Sequence, residues 1–244
     1  YNGVIKNFIN SYANGETPVP CINCNETVKF SDLLEESKKL NADTLVTGHY
    51  AIRSGGLKNS KLYKAKDNSK DQSYFLFATL QEQLDYVRFP LGNFLKSEIR
   101  KMAKEFNLEI GDKPDSQDIC FVTSDSYRDL IDKMLPEINK EGKIFDIDGN
   151  VIGTHKGISK YTIGQRKGIG VGGQEKPLYV KEVNKKQNYI VLAPIEKLKK
   201  NKIFFKNINF LDEKIKNKTV ECSAKIRSTQ KEISGKLVIN SNKG

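Results

Sequence analysis

Apolar and polar positions follow two different rhythms along the chain, and the rhythm changes near Pro136. Before that point the spacing is mostly helical. Val4, Ile5, Phe8 and Ile9 fall on one face of a helix. A second helical pattern runs from Val28 to Leu40, with Phe30, Leu33, Leu34 and Leu40 apolar. Asp43-Thr-Leu-Val-Thr-Gly48 reads as a short buried strand ending in a glycine turn. Leu95 to Phe106 is helical again, with Ile99, Met102, Ala103 and Phe106 at core spacing. Helices interleaved with short apolar strands predict an α/β layer around a parallel sheet. In such sheets ligands gather beyond the carboxyl ends of the strands. Thr47-Gly48-His49-Tyr50 stands at one of those ends.

After Pro136 the pattern becomes that of strands. Lys143-Ile-Phe-Asp-Ile147 and Gly149-Asn-Val-Ile-Gly153 flank the turn signal Asp148-Gly149. Leu178-Tyr-Val180 and Tyr189-Ile-Val-Leu192 flank a polar turn at 184–187. Lys202-Ile-Phe-Phe205, Thr219–Ile226 and Ile233–Ile239 are further strand candidates. The chain stops at Asn240-Ser-Asn-Lys-Gly244, a turn signal that should lead into another strand. A barrel cut there would expose an edge.

Charge sharpens the division. Residues 1–150 balance at −3, and residues 151–244 at +14. A bias of the whole chain toward lysine would have touched the first part too. The asymmetry therefore predicts a polyanionic partner, because each phosphate neutralised by a cation releases condensed counterions. No apolar run approaches the roughly 18 residues needed to cross a bilayer, so no membrane partner is expected.

The four cysteines, Cys21, Cys24, Cys120 and Cys222, are too few for a disulfide framework in a chain of 244 residues. A reducing, cytoplasmic setting follows, where a special cysteine is catalytic or metal-binding rather than structural. Cys21-Ile-Asn-Cys24 is a lone C-x-x-C. Structural zinc would want a second pair, and only His49 and His155 could supplement it, so no metal site is expected. The pair follows the stiff stretch Thr17-Pro-Val-Pro20 and precedes a helix, a setting that allows thiolate activation. Two incidental loop cysteines are the alternative. Taken alone, Cys120 reads as a small buried apolar residue, and Cys222, inside a strand pattern, as buried too.

Two polar segments remain. Asn68-Ser-Lys70-Asp71-Gln72-Ser73 precedes an apolar stretch, as a helix N-terminus with Asp or Ser capping would. Tyr161-Thr-Ile-Gly164-Gln165-Arg166-Lys167-Gly168-Ile-Gly170 joins glycines, which let a backbone approach a ligand, to two cations that can bind phosphate. It lacks the spacing and setting of the nucleotide-binding glycine motifs.

Taken in order, six segments resemble the tRNA-specific 2-thiouridylase family: Thr17–Phe30, Thr47–Tyr50, Lys70–Phe75, Phe89–Gly92, Asp115–Phe121 and Tyr161–Gly168. The likeness runs over nearly the whole chain and weakens after residue 195. It implies an α/β nucleotide-binding domain of the PP-loop type over residues 1–135. A central β-rich tRNA-binding domain over 136–200 and the start of an incomplete C-terminal β-barrel over 201–244 would follow it. The family's phosphate loop, SGGxDS, has no counterpart here, so the sequence reads as truncated at both ends and, as this fragment, is expected to bind ATP poorly and to be inactive. The implied activity is ATP-dependent transfer of persulfide sulfur to C2 of a wobble uridine, with Mg2+ accompanying ATP and a persulfide-carrying protein as sulfur donor. By the same resemblance Cys24 is the nucleophile, Cys120 carries the persulfide, and Gly48 lies against ATP. Val19, Pro20, Cys21, His49, Lys70, Asp71, Gln72, Arg227 and Ser228 would meet tRNA, joined by the cations Arg166 and Lys167. The family often has Asp where this chain has Cys21. Two other readings compete: an iron–sulfur cluster held by Cys21, Cys24 and Cys120, and a non-catalytic tRNA-binding fragment.

Overall fold

The computed structural model describes residues 3–13, 18–109, 120, 134, 140–173 and 176–239. They form two compact units, one of residues 1–20 with 116–205 and the other of 21–115 with 206–244.

The second unit holds the α/β layer. Helix α2 (Pro20–Asn23) runs without a break into a π-helical segment (Cys24–Asp32) and then α3 (Leu33–Lys39). The wider winding is explicit at its end, where the Leu33 N–H bonds to the Val28 carbonyl, five residues back. Residues five apart then share a face, so Asn25 and Phe30 are both buried. In an α-helix the same two positions would stand about 140° apart. Leu34 continues this inward face, whereas Leu33 and Leu40, both expected in the core, are exposed.

Strand β1 (Leu45–Val46) pairs in parallel with β4 (Val87–Arg88), as the interleaved pattern predicts. The expected buried strand at 43–48 is, however, only two residues long, and Val46 is exposed. Leu45 packs against the core on one face, and the other face lies open. Strands β2 (Ala51–Ser54) and β3 (Lys61–Lys64) form a hairpin. Helices α4 (Gln81–Tyr86) and α5 (Lys96–Glu105) each begin with a side chain reaching back: Gln83 Oε1 accepts from the Leu80 N–H at 2.8 Å, and Glu98 Oε2 from the Leu95 N–H at 2.6 Å. Of the four apolar residues expected inward on α5, only Ala103 is buried, Ile99 and Met102 are half-buried, and Phe106 is exposed. The core gathers Phe30, Leu34, Ala51, Leu76, Leu84, Val87 and Phe89. Burying a side chain such as Leu84 contributes about 1.5–3 kcal/mol.

Strands β9 (Thr219–Ala224) and β10 (Ile233–Val238) form an antiparallel hairpin in the same unit. Asn209 Nδ2 ties the approach to this hairpin to the carbonyls of Phe77 and Thr79 at 2.9 and 2.7 Å. Lys64 pairs with Glu232 at 2.6 Å.

In the first unit, α1 (Val4–Ala13) buries Phe8, Ile9 and Tyr12, matching its apolar face. Strands β5 (Glu141–Phe145), β6 (Val151–Lys156), β7 (Leu178–Asn184) and β8 (Tyr189–Pro194) make an open sheet in the order β6-β5-β8-β7. The two hairpins are antiparallel and meet through a parallel β5–β8 pair. Asp146 shapes the β5–β6 turn by accepting from the Asp148 and Asn150 N–H groups at 2.9 and 2.8 Å. Ile144, Ile158, Ile169, Val180, Ile190 and Leu192 form the core beneath. The expected strand at Lys202–Phe205 does not form. No strand pairs with its backbone among the described residues, and Phe204 is 92% exposed.

Candidate active site

The π-helical segment and the loop after β1 meet at Lys29, Phe30 and His49. Cys24 is partly buried at the start of the segment. Five positions on, Lys29 shares its face, and the Lys29 ammonium lies 3.5 Å from His49 Nε2. His49 is buried between the rings of Phe30 and Phe89, each 5.9 Å away between centroids. Thr47 Oγ1 lies 2.9 Å from its Nδ1. An ammonium only donates, so Nε2 must accept; the ring proton then sits on Nδ1 and is donated to Thr47. Burial first, and the Lys29 charge second, push the imidazole down to about 4. His49 is therefore a neutral ring with a fixed tautomer at physiological pH.

On the same π-helical segment, Asn25 Nδ2 donates to the Phe75 carbonyl at 3.0 Å, while its Oδ1 is buried without a partner. The Tyr50 hydroxyl is also buried and unpartnered. Tyr50 and Gln72 are tied twice, through Tyr50 N–H to Gln72 Oε1 at 2.9 Å and Gln72 N–H to the Tyr50 carbonyl at 2.8 Å. Asp71 accepts from the Ala65 N–H at 2.9 Å and the Ser73 hydroxyl at 2.8 Å, so it fixes the turn before a short 3-10 helix at Ser73–Leu76. The N-cap of that helix is Gln72, whose side chain makes no cap, so the expected Asp or Ser cap does not form; Asp71 stands one residue ahead, and the helix is a single turn. Lys70 is half-buried, and its N–H closes the turn onto the Asp67 carbonyl at 3.0 Å.

Gly48 is exposed at the carboxyl end of β1. A Cβ placed there would meet only Leu91 Cδ1, at 3.7 Å. The chain's own packing does not demand glycine at this point, which fits a ligand approaching the backbone closely. Val19 and Pro20 are half-buried at the start of α2, and Cys21 is exposed one residue further. Arg227 is exposed and Ser228 half-buried in the turn after β9. The Tyr74 hydroxyl donates to the Ile226 carbonyl at 3.0 Å, so the fold brings the 70–75 segment to the 226–228 turn across some 150 positions.

None of the four cysteines is joined in a disulfide. Cys120 lies in the first unit and is exposed, so the single-residue reading of a buried apolar Cys120 is corrected; the rest of Asp115–Phe121 falls outside the described residues. Cys222 is half-buried rather than buried, because β9 is packed on one side only by β10. Among the described residues no three His, Cys, Asp or Glu side chains gather to hold a metal ion. No helix of the described residues is long and apolar enough to cross a membrane.

In the first unit, Arg166 and Lys167 stand exposed on a braced loop. Gly164 N–H bonds to the Val180 carbonyl at 2.7 Å, and Val180 N–H returns to the Gln165 carbonyl at 3.0 Å. Gln165 closes the loop by accepting from the Thr162 N–H and donating to the Lys167 carbonyl, both at 3.0 Å. Gly164, Gly168 and Gly170 take positive φ, which explains the glycines that the sequence places around the two cations. An open depression of about 760 Å³ on the same unit, lined by Glu141, Lys143, Asp146, Lys181 and Glu182 among others, mixes both signs of charge and contains no cysteine.

The sequence had marked Cys24, Gly48 and His49 as neighbours in function. It had not singled out Lys29 and Thr47 as the groups that set the state of His49. The signal lay in the five-residue spacing from Cys24 to Lys29, which only a π-helix turns into proximity.

An α/β layer with a parallel strand pair and a separate β-sheet unit define the class as an α/β domain with an appended β-domain. The chain belongs to the family described as tRNA methyl transferase HUP domain, whose model matches residues 1–124. A second family model, tRNA methyl transferase PRC-barrel domain, matches residues 128–194. Among curated relatives, the tRNA-specific 2-thiouridylase MnmA of Wolbachia sp. subsp. Drosophila simulans (strain wRi) is 51% identical over 226 residues, covering 93% of this chain and 60% of that protein. The protein of the same name from Rickettsia massiliae (strain Mtu5) is 47% identical over 228 residues, covering 93% and 62%. The chain thus spans about three fifths of the length of these relatives.

Proposed function

We propose that this chain carries the sulfur-transferring part of an ATP-dependent enzyme that converts a tRNA wobble uridine to 2-thiouridine. The observation that supports the reading is Cys24, partly buried at the start of the π-helical segment whose Lys29, five positions on, meets a neutral His49 beyond the end of a parallel strand. The family label names methyl transfer and the relatives' name names thiolation; the cysteines at 21, 24 and 120 favour sulfur chemistry.

The C2 oxygen of uracil is a poor leaving group, and transfer of adenylate from ATP, with Mg2+, makes it a good one. The exposed Cys120 receives a persulfide from a donor protein. Its terminal sulfur attacks C2, and AMP departs. Cys24 thiolate then attacks the Cys120 sulfur, forming a Cys24–Cys120 disulfide and leaving the sulfur on the base. Gly48 lies against the nucleotide. The uridine leaves its stack to reach both thiols. Val19, Pro20, Cys21, His49, Lys70, Asp71 and Gln72 face the tRNA, with Arg227 and Ser228 alongside and Arg166 and Lys167 on the phosphates. Residues 1–135 are read as the α/β domain, 136–200 as the tRNA-binding β domain and 201–244 as the start of a barrel, in a cytoplasmic protein.

In a protein that joins this chain to a phosphate-loop segment, Cys24→Ser and Cys120→Ser should each abolish 2-thiouridine formation, read by mass spectrometry of digested tRNA, while tRNA affinity stays within about twofold, because neither thiol is part of the phosphate contacts that dominate affinity. Thiolation surviving in Cys24→Ser would overturn the reading.

A further inference from the structure

We infer that Cys21 is the resolving thiol of Cys24: it attacks the Cys24 sulfur of any disulfide that Cys24 has entered, closes a Cys21–Cys24 disulfide and releases the former partner as a thiol. The inference rests on the thiol role of Cys24 proposed above and gives Cys21 a chemical task beyond facing RNA.

The placement of the two residues supports it. They sit three positions apart on one continuous helical run, α2 leading into the π-helical segment. Asn23, between them, has helical φ and ψ of −61° and −40°. Helical winding at this spacing sets the two Cα atoms about 5 Å apart. That is inside the Cα range of roughly 4.4–6.8 Å that disulfides bridge, and closing the bond requires the turn to draw the Cβ atoms in from about 5–6 Å to about 4 Å. Positions three apart also share a face, so both thiols point to the same side. Their exposure differs in the useful direction: Cys24 is partly buried, whereas Cys21 is exposed. A disulfide formed on Cys24 would thus be moved one helical step toward solvent, where an external dithiol can reach it. Cys222 is no competitor on this helix, being on β9.

Atoms and electrons balance. Cys21 thiolate forms one S–S bond as the older one breaks, and the displaced sulfur leaves as a thiolate, so the exchange itself is neither oxidation nor reduction. Restoring the two thiols consumes one equivalent of an external dithiol, which becomes the disulfide.

The test does not need turnover. The chain with Cys120→Ser and Cys222→Ser is treated with one equivalent of dithiobis(nitrobenzoate), an aromatic disulfide whose thiolate is coloured. If Cys21 resolves Cys24, the first thiolate is released on labelling and a second follows at a rate independent of protein concentration. Peptide mapping then finds a Cys21–Cys24 disulfide. Adding Cys21→Ser should abolish the second release and leave the adduct on Cys24. A stable adduct on Cys24 with Cys21 present, or a second release that scales with protein concentration, overturns the inference. Near-ultraviolet circular dichroism matching the parent shows that the variants are folded, and Cys222→Ala replaces Cys222→Ser if that match fails. The labelling reads the thiols alone, so it decides the exchange whether or not the proposed thiolation of tRNA holds.

Discussion

At the scale of single residues, the state of His49 follows from its surroundings rather than from its identity. In the unfolded chain its imidazole titrates near 6.5; in the fold, burial and then Lys29 hold it at about 4. Between these values the unfolded chain binds a proton that the native one refuses. Stability from this residue is therefore full above pH 6.5 and is lost as pH falls toward 4, by on the order of 3 kcal/mol. Replacing His49 by Gln should flatten the fall in urea midpoint over that window relative to the parent; an unchanged slope would place the buried charge cost elsewhere. The difference between the two proteins isolates His49 from His155, which burial also holds low. Lys29→Met removes the second cause only, so an NMR titration should show the His49 midpoint rising yet staying below 6.5. Gly92 makes a harder demand: a Cβ there would run into the Ala51 carbonyl oxygen and carbon, both backbone. Gly92→Ala should lower unfolding free energy by about 1–3 kcal/mol, as overpacking does, in a denaturant titration.

At the scale of elements, the helix that follows Pro20 was legible, but its winding was not. The apolar positions 30 and 34 suit any helix, and both are buried. That Asn25 joins them, and that Lys29 turns toward His49, depends on hydrogen bonds reaching five residues instead of four. No side-chain pattern over nine residues encodes that choice; it is made when Phe30 packs against Phe89 and Leu76. The β5–β6 and β7–β8 hairpins were read closely, since their turn residues lie between alternating runs. The same reasoning failed at 202–205, where a strand-like run finds no strand to pair with among the described residues.

At the scale of the whole molecule, charge separates what holds the tRNA from what acts on it in the proposed function. The +14 balance of residues 151–244 and the braced loop of Arg166 and Lys167 suit phosphate contacts, which position an RNA without reading it. For duplex DNA, log affinity falls with log salt by about 0.9 per phosphate contact, and folded tRNA should behave similarly. Replacing Arg166 and Lys167 together by Ala should weaken tRNA binding and flatten the salt slope by about one to two units in a filter-binding series. Full affinity with an unchanged slope would leave these two cations as solvated surface.

The sequence by itself determined the alternation of helix and strand, the parallel pairing expected around Thr47–Tyr50, the two turn-closed hairpins, the charge division and the family likeness. These are local or additive properties: periodicity, turn chemistry and summed charge do not depend on what a residue meets far along the chain. Tertiary structure alone decided which apolar faces stayed exposed, that Leu40 and Phe106 remain outside, and that the 70–75 segment meets the turn at 226–228. It also decided that His49 is neutral. That outcome required the neighbours Lys29 and Phe30 and the distant Phe89 to be brought around one ring, and the free energy of a buried charge depends on that company.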